Sequence, residues 1–214
     1  MMLKEPGETI ELKLLKRLLE RGLVISKDEA VEYWECFRPL LTKGVIVEYK
    51  NCFKILPECC LLLLQKLVGS GFHLETLFKS VNWRGFERII AEIFRLHDFK
   101  VQEHFRFRIG KVLREIDLLV EAPSLFLSID CKQWVRRNYS LKTACRLQFE
   151  RSKLLLKYLI EKNILKEVYS LVLTFLDSEV IFMNNCIVIP VWKIRDLVEA
   201  PEILEEIGKP VSLL

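Results

Sequence analysis

No stretch of this chain approaches the roughly 18 uncharged apolar residues that a membrane-spanning helix requires. The longest apolar run, CCLLLL at 59–64, is far shorter. The opening residues, MMLKEPGETIELK, carry acids where a secretory leader has its apolar stretch. Histidine is scarce: His73, His97 and His104 are the three present, and no HExxH pattern joins them. The seven cysteines form no CxxC pair and no Cys/His spacing of a zinc site. There is no internal repeat and no low-complexity tract. These absences point to a soluble, cytoplasmic protein with reduced thiols, most of them packed as small hydrophobes.

What is present suffices for a core. The 214 residues allow one large or two small domains, and 51% of them are hydrophobic, with a mean hydropathy of +0.20. The net charge of +4 is small, but it is unevenly spread. From Lys100 to Lys157 there are 13 Lys/Arg against 6 Asp/Glu, whereas the rest of the chain has 20 against 23. A local excess of that kind attracts a polyanion such as nucleic acid. Ordinary solvated charge accounts for it equally well.

Periodicity outlines the elements. Leucines at helical spacing predict an amphipathic helix over Thr9–Arg21, counting Ile10 in its apolar face and stopping at Gly22. Ser26 and Glu29 form a capping-box pattern for a helical stretch to about Lys43, with a break near Pro39. VIVEYKNCFKIL reads as two strands around Lys50-Asn51. Helix, helices, then hairpin is the order of a winged helix, although Lys27–Lys43 holds three basic and four acidic residues. Leu61–Val68 is expected as a further helix, and Gly69-Ser70-Gly71 is the candidate linker. The expected domains are 1–70 and 71–214. In the second, a helix over Trp83–Leu96 precedes strands at about 99–109, 112–120 and 125–132. A long helix over Leu141–Glu161, strands at 168–175 and 186–191, and a helix from Trp192 follow. That order argues for a mixed sheet flanked by helices.

The hairpin EIDLLVEAPSLFLSIDCKQW, residues 115–134, carries an acid on each apolar strand. Asp130 and Lys132 share a face by the two-residue alternation. With Pro123-Ser124 as a two-residue turn, Asp117 falls opposite Asp130. Like charges there repel, and a divalent cation reverses the sign. The ordinary alternative is a solvated sheet face. The tripeptide [DE]xK occurs four times in the chain, and only at Asp130-Cys131-Lys132 does it lie on an apolar strand with an acidic partner strand. A third carboxylate is sought on the preceding helix. Glu87 borders its apolar face, Glu92 competes, and a solvated helix position is the plain alternative for Glu87.

GFERIIAEIF, GKVLREIDLLV, LFLSIDCKQW, the long basic helix and the strand ending in IPVW, from about Trp83 to Pro190, together resemble the PD-(D/E)XK nuclease superfamily. The likeness is to its Mrr-type restriction endonucleases and archaeal Holliday-junction resolvases. It implies an α/β fold, a restriction-endonuclease-like mixed sheet flanked by helices; it does not cover residues 1–70, where the order of elements alone suggests a small winged-helix-like domain. It implies catalytic Glu87, Asp117, Asp130 and Lys132, with Asp117, Asp130 and Glu87 holding Mg²⁺ or Mn²⁺. Many Mrr-like members have glutamate where this chain has Asp130. The expected activity is metal-dependent DNA phosphodiester hydrolysis, of restriction or repair type. The alternative is a catalytically inactive nuclease-fold factor that binds DNA or protein. Arg136, Arg137, Lys142, Arg146 and Arg151 are the candidate phosphate contacts, two of them expected to be merely solvated, and Gln133 a candidate helper. The expected partners are DNA, a protein met through the N-terminal domain and a second copy of the chain, with no membrane.

Overall fold

Thr9 caps the first helix, its hydroxyl accepting from the Leu12 N–H at 3.3 Å, and α1 runs Ile10–Glu20. This is a computed structural model; it describes residues 9–56, 59–71, 81–132, 141–174 and 181–213. The chain divides into units 1–92 and 93–214.

In the first unit, α1 buries Leu12, Leu14, Leu15, Leu18 and Leu19. Ile10, expected on that face, is exposed, because the first turn precedes the packed part of the helix. Gly22, with φ 73°, ends α1 in a Schellman motif: Leu23 N–H donates to Leu18 O at 2.7 Å and Gly22 N–H to Leu19 O at 3.1 Å. β1 (Val24–Ser26) leads into the expected capping box, Ser26 with Glu29, at the start of α2 (Lys27–Val31). Arg17 of α1 and Arg21, the residue that caps its C-terminus, each reach Glu29 Oε1 at 2.9 Å.

The helical stretch does not break at Pro39. It breaks at Glu32–Tyr33, and α3 (Trp34–Thr42) continues through the proline. The physical reason lies at Tyr33. Its N–H closes a tight turn onto Ala30 O, and its carbonyl receives the Cys36 and Phe37 N–H groups that start α3. The restart turns Phe37 onto Phe53 at 4.6 Å, edge to face. Phe53 belongs to β3 (Cys52–Ile55), which with β2 (Ile46–Tyr49) forms the expected hairpin around Lys50-Asn51. The three strands pair antiparallel in the order β1-β3-β2. α4 (Cys60–Gly69) follows. α5 (Trp83–Leu96) is capped by Asn82, whose Oδ1 accepts from the Gly85 N–H at 2.9 Å, and the division between units falls within it.

The second unit is built on one mixed sheet, β4-β5-β6-β7-β9-β8. β4 (Lys100–Ile109), β5 (Val112–Glu121) and β6 (Leu125–Lys132) form an antiparallel meander. α6 (Leu141–Glu161) then crosses over, so β7 (Glu167–Thr174) pairs parallel to β6. β9 (Cys186–Pro190) is parallel to β7, and the three-residue β8 (Ile181–Met183), not expected from the sequence, closes the edge antiparallel. After a 3-10 turn, the helix expected from Trp192 is realised as α7 (Ile194–Glu199), with a separate α8 (Ile203–Ile207) beyond it. The stripe Ala144, Cys145, Gln148, Ser152, Leu155 and Leu159 is the buried face of α6. Among the described residues no helix is long and apolar enough to cross a membrane. Six described cysteines are free thiols. Only Cys145 and Cys186 are buried; Cys36, Cys52, Cys59 and Cys131 are half-buried, fewer in the core than the expectation of small hydrophobes.

Gly22 is required twice over. A left-handed φ disfavours any side chain, and a Cβ there would meet the Asn82 amide at 2.5 Å. Gly22→Ala is therefore expected to destabilise the protein by more than about 1 kcal/mol. Denaturant unfolding followed by circular dichroism measures this, and an unchanged midpoint would refute the assignment.

Candidate active site

The β5–β6 hairpin turns at Pro123-Ser124, where the Ala122 N–H donates to Leu125 O at 2.9 Å. Pairing runs from Glu121↔Phe126 to Leu118↔Ile129, the register expected from a two-residue turn. One step further that register sets Asp117 against Asp130, and there the two strands part. β6 continues against β7 as far as Lys132↔Thr174, while β5 continues against β4 as far as Val112↔Ile109. On the other side of Asp117, the β4–β5 pairing passes from Glu103↔Leu118 to Phe105↔Ile116 and skips His104, whose φ is 51°. Asp117 thus stands at a fork, passed over by the ladder on both sides. Its Oδ2 accepts the Cys131 N–H at 2.8 Å, a carboxylate taking the place of a backbone carbonyl.

Asp130 is 2% exposed. A bare carboxylate so deeply buried would be very costly, and two cations neutralise it. Lys132 Nζ lies 2.8 Å from Oδ1 and 2.7 Å from Oδ2. Arg151, from α6, donates through Nη1 to Oδ1 at 2.9 Å. Gln148, one turn earlier and fully buried, fixes the helix to the strand. Its Nε2 donates to Ser128 O at 2.8 Å and Ser128 Oγ at 3.0 Å, while its Oε1 accepts from Arg151 Nη1 at 3.4 Å. Ser152 Oγ donates to Gln148 O at 2.9 Å. Beside this polar seam Cys145 and Cys186 are buried in one cluster, and Ser170 Oγ donates to Cys186 Sγ at 3.5 Å.

Burial pushes the Asp117 carboxyl above its usual range and the neighbouring Asp130 charge adds to the rise; the Cys131 N–H, Lys132 and Arg151 act in the opposite direction. One acid is therefore balanced by cations, and the other sits where burial and its neighbour disfavour the charged form. Two hard carboxylates in that condition suit a divalent cation, and Mg²⁺ commonly takes one or two carboxylates and completes its shell with water and phosphate oxygens. Among the described residues no group of three or more His, Cys, Asp or Glu is arranged to hold a metal.

The structure brings Asp117, Asp130 and Lys132 together, and it adds Arg151, expected only as a phosphate contact on the helix surface. Lys142 and Arg146 are exposed on α6. Arg136, Arg137 and Gln133 lie outside the described residues. Glu87 and Glu92 belong to the first unit and are 5% and 4% exposed, so neither is a solvated helix position and burial does not separate the two. Gln148 was not anticipated. Its signal was a lone amide at helical spacing in the apolar stripe of α6.

No protein-family model matches the chain, and no curated protein matches it. Among solved structures it is similar to the crystal structure of protein VC1899 from Vibrio cholerae, at 12% identity and a TM-score of 0.42, over 93% of this chain and 52% of that one. The chain spans about half the length of that protein. A likeness of that degree assigns neither fold nor function.

The raised Asp117 value has a definite pH consequence. An acid whose folded value is raised contributes stability below its ordinary value, near 3.8, and loses it as pH rises through the raised value. Asp117→Asn keeps an oxygen for the Cys131 N–H and removes the charge. It is expected to raise the thermal midpoint at pH 7 in chelator, by about 2–4 °C for each kcal/mol relieved, and to flatten the dependence of stability on pH above about 4. A lower midpoint at pH 7 would contradict the arrangement.

Proposed function

We propose that the protein is a metal-dependent nuclease that hydrolyses DNA phosphodiester bonds at the fork between β5 and β6. The observation that carries the reading is the meeting of Asp117 and Asp130 there, with Lys132 against Asp130. In support, β6 is paired on one flank with the β4–β5 meander and on the other with the parallel strands β7 and β9. That is the mixed, helix-flanked sheet the PD-(D/E)XK resemblance implies.

Asp117 and Asp130 would hold Mg²⁺ or Mn²⁺, which when bound supplies an activated water and neutralises phosphate charge. The remaining work belongs to the chain. Lys132, on the open edge of the hairpin, supplies a fixed positive charge beside the carboxylates, placed to orient the attacking water and to stabilise negative charge growing on the phosphate. Arg151 and the Gln148–Ser128 bonds hold Asp130 in place, so its oxygens need not reorganise during reaction.

For the first unit we propose a winged-helix-like module. The order α1-β1-α2-α3-β2-β3 with sheet order β1-β3-β2 supports it. Its exposed Val31, Trp34 and Tyr49, with a mixed charge balance around α2 and α3, favour contact with a protein over contact with phosphate. One observation favours the second reading, an inactive DNA- or protein-binding factor: both Asp130 oxygens are already engaged by side-chain cations.

Cleavage of plasmid and branched DNA decides between them. The purified protein is expected to cut with Mg²⁺ or Mn²⁺ and not in EDTA. Asp117→Asn and Lys132→Ala should each lower the rate by at least about 100-fold while DNA binding persists. Full activity in chelator, or normal cutting by both variants, would sink the reading.

A further inference from the structure

Beyond the fork, residues 105–109 of β4 and 112–116 of β5 pair only with each other. They form a two-stranded ribbon about 17 Å long, at about 3.4 Å per residue. One side of it is anchored. Tyr158 of α6 packs on Phe105 and Phe107, with ring centroids 6.2 and 5.4 Å apart, and Phe107 and Ile116 are buried. The other side, with His104, Arg106 and Arg108 of β4, faces solvent. Lys111 in the turn is exposed as well, and so is Arg114 of β5, although it pairs with Phe107 and so lies on the anchored side. Glu115 is the single acid between residues 104 and 116, and Arg106 Nε meets it at 2.6 Å. Arg108, Lys111 and Arg114 have no acid opposite them in the register: Arg108 faces Leu113, Arg114 faces Phe107, and Lys111 sits in the turn.

Charge on an edge strand has an ordinary purpose, which is to discourage pairing with other chains. That purpose needs charge but not one sign. The inner half of the same two strands shows mixed signs, with Lys100, Glu103 and Glu121, and there Glu103 is paired with Arg95 and Glu121 with Lys166. Only the outer half is basic almost throughout, and it begins at the strand position of Asp117. A rigid basic ribbon of two strands also matches a known mode of DNA contact, since the major groove, about 12 Å wide, admits one.

We propose that this ribbon is a DNA-docking arm, in which Arg108, Lys111 and Arg114 bind backbone phosphates and lead the duplex to the carboxylates at the fork. The proposal rests on the nuclease reading for its choice of polyanion. It assigns phosphate contacts to residues outside α6 and the segment before it. Anchoring by Tyr158 means the arm is already ordered when DNA arrives, so little conformational freedom is lost on binding.

The test is duplex DNA binding by the full chain in EDTA, measured against salt concentration, with cleavage in Mg²⁺ measured separately. Each phosphate contact contributes about 0.9 to the slope of log affinity against log salt. The triple variant Arg108→Ala/Lys111→Ala/Arg114→Ala is expected to lose about 2–3 from that slope. Arg108→Lys/Lys111→Arg/Arg114→Lys should retain it. Lys111→Ala alone, at the turn where no packing is disturbed, should lose about 0.9. An unchanged slope in the Ala variants overturns the proposal, as does an equal loss in the charge-conserving variant or no binding by the wild type. Cleavage with an unchanged slope leaves the nuclease reading standing and removes the arm. A ribbon-dependent slope without cleavage does the reverse.

Discussion

The second unit is organised around the neutralisation of one buried carboxylate. Asp130 lies on the central strand β6, and Lys132 and Arg151 reach it from two different elements. Lys132 is there because strand geometry returns the side chain two residues on to the same face. Arg151 is there only if α6 lies across β6 in one register, and Gln148 enforces that register through Ser128. A helix displaced by one turn would strand Asp130, the Gln148 amide and the Ser128 carbonyl together. Breaking a buried charge pair by removing one partner costs about 3–5 kcal/mol, so such a displacement is strongly disfavoured. The polar seam therefore selects one packing from the many that a leucine-rich stripe alone would tolerate.

The same pattern explains why part of the molecule could be read from its sequence. α5 and α6 lie where their periodicity placed them, and β4, β5 and β6 match their expected spans to within a residue or two, because alternation and turn residues act locally. The pairing of Leu118 with Ile129 followed from counting back from Pro123-Ser124. Asp117 and Asp130 stood out as acids in apolar strands. What could not be read was set by tertiary context. The parting of β5 from β6 depends on β7 continuing to pair with Lys132, a residue 42 positions before Thr174. His104 adopts a left-handed φ that no local motif signals. Arg151 looked like any surface arginine until α6 was laid over Asp130. Pro39 was expected to break a helix, and it did not, because Tyr33 and the burial of Phe37 had already set where the helix begins.

Burial changed the standing of several polar residues. Ser128, Gln148, Ser152 and Ser170 occur within apolar stretches, where each alone suggests a weak strand or helix. Three of them form a connected set in which Gln148 bonds the Ser128 carbonyl and hydroxyl and Ser152 bonds Gln148, while Ser170 bonds Cys186. Connected buried polar groups hold a structure rigid, whereas isolated ones only destabilise it. Glu87 illustrates the opposite limit of sequence reading. Position on a helical wheel placed it at the margin of an apolar face, whereas in the folded chain it is buried.

The two borders of the sheet differ in length but share a property. β8 offers a passing strand three residues to copy. β4 offers ten, yet His104 interrupts the row of backbone donors and acceptors four residues from one end and five from the other. The longest unbroken template on either border is the five residues 105–109, the short end of what an ordinary strand uses. A sheet so bounded resists growing by addition of its own kind, and the chain can keep a long basic edge in solvent without inviting self-association through it.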